Sequence, residues 1–125
     1  MSGLTNMTFS EALDRLKKGD LVARSGWNGK GMFLFLVPGS TFRVNREPLS
    51  SIYEEGTQIN YHAHIDMKTA DGTVVPWLAS QSDVLAEDWV IIARFRQYRV
   101  PAVHDAEVIC KMHRVHDMVE GAECL

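Results

Sequence analysis

The sequence predicts an α+β domain, on three observations. One segment near the N-terminus has the pattern of an amphipathic helix. The residues after it break into short apolar or alternating runs, separated by Gly, Pro and Asp-Gly turn signals. The chain has 125 residues, 46% hydrophobic and 23% charged, which supports one domain around one core. A helix followed by a run of strands reads as α+β rather than as alternating α/β.

The helix is placed at 9–18. Thr8-Phe9-Ser10-Glu11 has capping-box spacing. Phe9, Ala12, Leu13 and Leu16 form one apolar stripe, and Lys17 and Lys18 suit the last turn. Gly19 is the C′ residue. A short strand follows at 21–24, then a glycine-rich turn, Ser25-Gly26-Trp27-Asn28-Gly29-Lys30-Gly31. Residues 32–37 read as a strand buried on both faces, stopped by Pro38-Gly39. Thr41, Phe42, Arg43, Val44 and Asn45 alternate, with Phe42 and Val44 on one face. Pro48 opens a short helical turn through Ile52 and Tyr53, ended by Gly56. Residues 62–68 alternate as a half-buried strand that places His62, His64 and Asp66 on one face. Asp71-Gly72 is a hairpin signal, with the return strand at 73–77 and Pro76 at a sheet edge. A helical turn is expected at 84–87 with Ser82 or Asp83 as N-cap, then a core strand at 89–93 carrying Trp89.

Composition excludes several classes. Sixteen acids against thirteen bases give a net charge of −3, a poor footprint for duplex DNA. No apolar run approaches the roughly 20 residues of a membrane helix, and the N-terminal residues do not read as a signal peptide. Both cysteines, Cys110 and Cys124, fall near the C-terminus, so no disulfide framework organises the body. The texture changes after Arg94, where three of the five histidines and both cysteines collect. The expected organisation is a domain at 1–94 and a C-terminal extension at 95–125.

The residues offer no evident catalytic engine. Gly26 to Gly31 can turn backbone N–H groups toward an anion with Lys30 nearby, but the spacing is not that of a Walker A loop. A glycine-rich β-turn with Trp27 in the core competes with that reading. His62, His64 and Asp66 lack a further ligand for a metal, and Cys110, His113 and His116 drift around a helix, so no metal site is expected. The acid pairs Glu54-Glu55 and Glu87-Asp88 read as solvated. Aromatic rings beside amides, hydroxyls and bases, as at Trp27, Phe42, Tyr61 and Trp77, suit a purine ligand.

Longer stretches are more specific. They are Met7-Thr8-Phe9-Ser10-Glu11-Ala12-Leu13, Ala23-Arg24-Ser25-Gly26-Trp27-Asn28-Gly29-Lys30-Gly31-Met32, Leu36-Val37-Pro38-Gly39-Ser40, Asn45-Arg46-Glu47-Pro48-Leu49 and His64-Ile65-Asp66-Met67. Asp71-Gly72-Thr73-Val74-Val75-Pro76-Trp77-Leu78-Ala79-Ser80-Gln81 and Asp83-Val84-Leu85-Ala86-Glu87-Asp88-Trp89 complete the series. In this order they resemble a phage and prophage domain family whose characterised members are the type-two Thoeris anti-defence proteins. The resemblance covers about residues 7–89; the extension does not share it.

The resemblance implies an antiparallel sheet packed on the N-terminal helix, and a homotetramer with pockets between subunits. It implies a sponge in the host bacterial cytoplasm, without catalytic residues or cofactor. The partner would be a cyclic nucleotide signal, a glycocyclic ADP-ribose from TIR enzymes or a cyclic oligonucleotide from cGAS-like enzymes, held without cleavage. On this reading Trp27 and Trp77 stack on a base, with Phe42 as a further aromatic contact, and Arg24 and Lys30 meet phosphates. Asn28, Asn45, Ser80 and Gln81 read base edges and ribose hydroxyls, and Asp83 accepts from a hydroxyl or amine. Two alternatives stay open from the residues alone: a hydrolase of such nucleotides with His64 and Asp66 as acid and base, and a structural or host-protein-binding module.

Overall fold

A computed structural model describes residues 5–100. Helix α1 (Phe9–Lys17) starts as the capping box requires: the Glu11 backbone N–H donates to the Thr8 hydroxyl at 3.3 Å, and the Thr8 backbone N–H donates to Glu11 Oε1 at 2.9 Å. Ala12 and Leu16 are wholly buried, and Phe9 and Leu13 flank them on the same face. Lys18 is the C-cap, and Gly19 then reverses the chain at φ +94°. A Cβ on Gly19 would also lie 2.3 Å from the Phe95 ring, so a side chain is excluded there twice.

The strands are β1 (Leu21–Arg24), β2 (Phe33–Val37), β3 (Ser40–Arg43), β4 (Gln58–Tyr61), β5 (His64–Lys68), β6 (Val74–Pro76) and β7 (Trp89–Ala93). A short helix α2 (Gln81–Leu85) lies between the last two. Five strands form one antiparallel sheet in the order β6-β5-β2-β1-β7, and β3 and β4 form a separate antiparallel ribbon. The α+β architecture is therefore the one expected. Val22 and Leu34 are register partners in the middle of the sheet and join Met7, Ala12, Leu16 and Trp89 in the buried core. Among the described residues no helix is long and apolar enough to cross a membrane.

Several local expectations change. Strand β4 was not expected; it pairs with β3 through Ile59 opposite Phe42 and Asn60 opposite Thr41. Strand β5 begins at His64, so His62 is outside it and the expected three-residue polar face does not form. In β2 only Phe33 and Leu34, one on each face, are buried; Phe35, Leu36 and Val37 are half-buried, so the expected burial on both faces holds only at the start of the strand. The N-cap of α2 is Ser80, with Asp83 as its N3 partner, and not Ser82 or Asp83. Strand β7 is an edge strand, although Trp89 is in the core. Met7 covers its outer side, with Met7 N–H to the Trp89 carbonyl at 2.9 Å and Trp89 N–H to the Met7 carbonyl at 3.2 Å. Pro76, lacking a donor, sits on the opposite edge as expected.

The chain folds back after β7. The Phe95 backbone N–H donates to Asp20 Oδ1 at 2.8 Å, and the Tyr98 ring stands edge-on to Phe33 with centroids 6.2 Å apart. Cys110, His113, His116 and Cys124 lie outside the described residues.

Candidate ligand-binding site

Two cavities collect residues of the kind a nucleotide needs. The first, about 360 Å³, lies at the turn between β1 and β2. Ala23, Met32, Val90 and Ile92 supply its apolar lining, joined by the loop residues Arg24, Trp27, Asn28 and Lys30, of which Trp27 also packs against the core. The second, about 600 Å³, lies along the β3–β4 ribbon. Phe42, Tyr61, Asn45, Arg43 and Arg46 line it, with Glu47 the acidic member. The Phe42 and Tyr61 rings meet edge to face at 5.2 Å. Both volumes fall in the range of small-molecule sites, roughly 300–1,000 Å³.

The loop of the first cavity is held from both ends. At its start, Arg24 Nε donates to Asp88 Oδ1 and Arg24 Nη1 to Asp83 Oδ1, each at 2.9 Å. The Gly26 backbone N–H donates to Asp88 Oδ2 at 2.9 Å, and a Cβ on Gly26 would be 2.8 Å from that oxygen, so this approach needs glycine. Trp27 Nε1 donates to Asp83 Oδ1 at 3.4 Å. At its end, the Lys68 ammonium donates to the Gly31 carbonyl at 2.9 Å. Lys30 forms no ion pair among the described residues and projects from an exposed turn.

Burial alone would raise the Asp83 carboxyl. The donors from Ser80, Arg24 and Trp27 outweigh burial and hold it below its ordinary value. Asp88 is likewise pushed up by burial but held low overall by Arg24 and the Gly26 N–H. The Arg24 guanidinium is raised, first by its bond to Asp88 and then by Asp83. Asp71, in the exposed β5–β6 turn, is held at about 2, chiefly by the Thr69 hydroxyl.

The three carboxyl shifts are all downward. Each carboxyl binds its proton less readily folded than unfolded, so its stabilisation is complete above the ordinary value of 3.8 and is lost as pH falls through the folded value. The melting temperature should therefore hold steady down to about pH 5 and fall progressively below about pH 4. A thermal-melt series in acid checks this, and Asp71→Asn should reduce the fall without touching the core. A flat profile down to about pH 2 would contradict it.

The remaining expected contacts are dispersed. Trp77 packs on Phe9 at 6.2 Å and edge-on to Trp89 at 6.1 Å, beside the core. The Ser80 hydroxyl accepts from the Asp83 backbone N–H at 3.1 Å to cap α2. Gln81 is exposed, and it lines neither cavity. His64 Nε2 lies 3.5 Å from Asp66 Oδ2, and neither residue lines either cavity. Among the described residues no three His, Cys, Asp or Glu side chains gather as a metal site.

Sequence reasoning missed Arg43 and Arg46, which gain meaning only when β3 pairs with β4. It also read Asp88 as solvated, whereas its carboxylate bonds both Arg24 and Gly26.

The model of the Thoeris anti-defense 2-like domain matches residues 7–92. The chain belongs to this family. A Thoeris anti-defense 2 protein of Bacillus phage SP01 is 46% identical over 92 residues, which cover 71% of this chain and 98% of that protein. Both cavities lie inside the matched span, as do the Arg24 ion pairs. This Thoeris anti-defense 2-like domain accordingly has an anti-defence role of the kind bacteriophages deploy.

Proposed function

We propose that this protein is a sponge for a cyclic nucleotide defence signal in the host bacterial cytoplasm, binding it without cleavage. The ligand is a glycocyclic ADP-ribose made by TIR enzymes, or a cyclic oligonucleotide made by cGAS-like enzymes. One observation carries the reading: in a chain of the Thoeris anti-defense 2-like family, a single loop brings Trp27, Asn28 and Lys30 into the lining of one cavity beside Ala23, Met32, Val90 and Ile92. An indole offers a face for a purine, an amide reads polar edges, and an ammonium with loop N–H groups suits a phosphate.

Phe42 and Asn45, with Arg43, Arg46 and Tyr61, offer the same chemistry at the ribbon cavity. Gln81 meets a ligand from the exposed start of α2, outside both cavities, whereas Trp77 and Ser80 support the fold by packing on Phe9 and Trp89 and by capping α2. The working unit is a homotetramer, in which copies that share surface would enclose such a ligand more fully than one small chain does. Leu78 and Leu85, 90% and 76% exposed, supply apolar area for such contacts.

The test is recovery of bound ligand. Protein loaded with a TIR-made glycocyclic ADP-ribose and then heat-denatured should release it chemically intact by mass spectrometry. A linear or hydrolysed product would overturn the sponge and favour a hydrolase. Trp27→Ala should weaken binding by about 1–3 kcal/mol, roughly 5- to 150-fold in Kd by calorimetry. An unchanged Kd in a folded variant would remove Trp27 from the site.

A further inference from the structure

We propose that Arg24, Asp83 and Asp88 form a latch that positions the Trp27 indole, and that they act on ligand through that ring and not by touching ligand themselves. The inference rests on the proposed binding role of Trp27 and assigns the loop's supporting residues.

The loop from Ser25 to Gly31 contains three glycines, so it loses much conformational freedom when ordered. A ring presented from such a loop binds well only if that loss is met before ligand arrives. The latch does this from one short segment carrying Asp83 and Asp88, 59 and 64 residues beyond Arg24. Asp88, at the mouth of β7, accepts from Arg24 Nε and from the Gly26 N–H at 2.9 Å each, and its backbone carbonyl accepts from the Ser25 N–H at 3.0 Å. Asp83, in α2, accepts from Arg24 Nη1 at 2.9 Å and from the Trp27 indole N–H at 3.4 Å. Its own backbone carbonyl accepts from the Trp89 indole N–H at 3.0 Å, and the Trp27 and Trp89 rings stand edge to face at 5.5 Å. One residue thus sets the direction of two adjoining indoles.

The charge count argues against a direct phosphate contact by Arg24. One guanidinium faces two carboxylates, a local excess of one negative charge. Its Nε and Nη1 donors are already aligned within the protein. A phosphate approaching Arg24 would meet that excess, whereas Lys30 carries no such pair.

A double-mutant cycle separates the two roles. Calorimetric Kd values for a glycocyclic ADP-ribose are measured in the wild type, Asp88→Asn, Trp27→Ala and the double variant. Asp88→Asn cannot accept both bonds, since its amide presents a donor to one of them. It should weaken binding about tenfold alone and less than about twofold in the Trp27→Ala background. Arg24→Lys keeps the charge and loses the fork, and should follow the same pattern. Equal losses in both backgrounds, for either variant, would show action independent of Trp27 and overturn the latch.

A ligand-free arm keeps this result apart from the site assignment. Hydrogen exchange at the Trp27 indole N–H, followed by NMR, should quicken about tenfold in Asp88→Asn while the Trp89 indole N–H stays protected. If the Trp27 signal is unchanged, the latch is overturned. If it quickens but Trp27→Ala binds as the wild type, the ring is held as proposed and the binding site is what has failed.

Discussion

Trp89→Ala is expected to destabilise the domain by about 3–5 kcal/mol, a large share of the roughly 5–15 kcal/mol that holds a small domain folded. Trp89 is wholly buried. Its ring meets Phe9 at 5.5 Å, Trp27 at 5.5 Å and Trp77 at 6.1 Å, so one truncation empties the space four aromatic rings share. The indole N–H bond to the Asp83 carbonyl goes with it. Relaxation cannot refill the gap easily, because α1, β1 and α2 are each anchored by caps or sheet bonds of their own. Urea denaturation followed by far-UV circular dichroism measures the loss. A change below about 1 kcal/mol would mean that the aromatic cluster is not the centre of the core.

The next largest effect is expected at Asp83. Asp83→Ala should destabilise by about 2–4 kcal/mol through two mechanisms, loss of a helix cap and partial exposure of a paired charge to a dry setting. Asp83 returns the Ser80 cap by accepting from the Ser80 N–H at 3.0 Å, and it takes half of the Arg24 guanidinium. The side chains of Arg24 and Asp83 are only 20% and 12% exposed, so water replaces the lost partner poorly. Asp88 remains to hold Arg24, which keeps the figure below that for a wholly orphaned charge. Ser80→Ala, removing the cap hydroxyl alone, should lose about 1 kcal/mol by the same denaturation assay. If the two variants lose equal amounts, the ion pair contributes nothing and the Asp83 account fails.

The parts of the fold that could be read from sequence are those whose signals are local. Thr8, Glu11 and the stripe Phe9, Ala12, Leu13 and Leu16 carry the whole of α1 within a few turns. Asp71-Gly72 marks its hairpin because the turn's requirements are met by its own residues. Strand β4 was illegible because Gln58, Asn60 and Tyr61 leave only Ile59 half-buried, and no apolar alternation survives. Helix α2 is five residues long and has no stripe, and its cap uses Asp where Glu or Gln is the usual signal. The site divides the same way. Trp27, Asn28 and Lys30 fall within four consecutive positions, so their association could be read directly. Asp88 is 64 residues from Arg24, and nothing in either neighbourhood announces that the two will meet.

The contact between Phe95 and Asp20 bears on where the folded unit can be cut. The family match stops at residue 92, which invites a truncation just after β7. Asp20 is 5% exposed and takes the Phe95 N–H, with Arg15 Nη1 3.7 Å from its other oxygen. A fragment ending at Ala93 would strip that donor from a buried carboxylate and uncover Gly19 and Phe33 together. A fragment that keeps both the Phe95–Asp20 bond and the Tyr98–Phe33 contact has to run at least to Tyr98. A fusion or tag joined after Tyr98 leaves this seam intact.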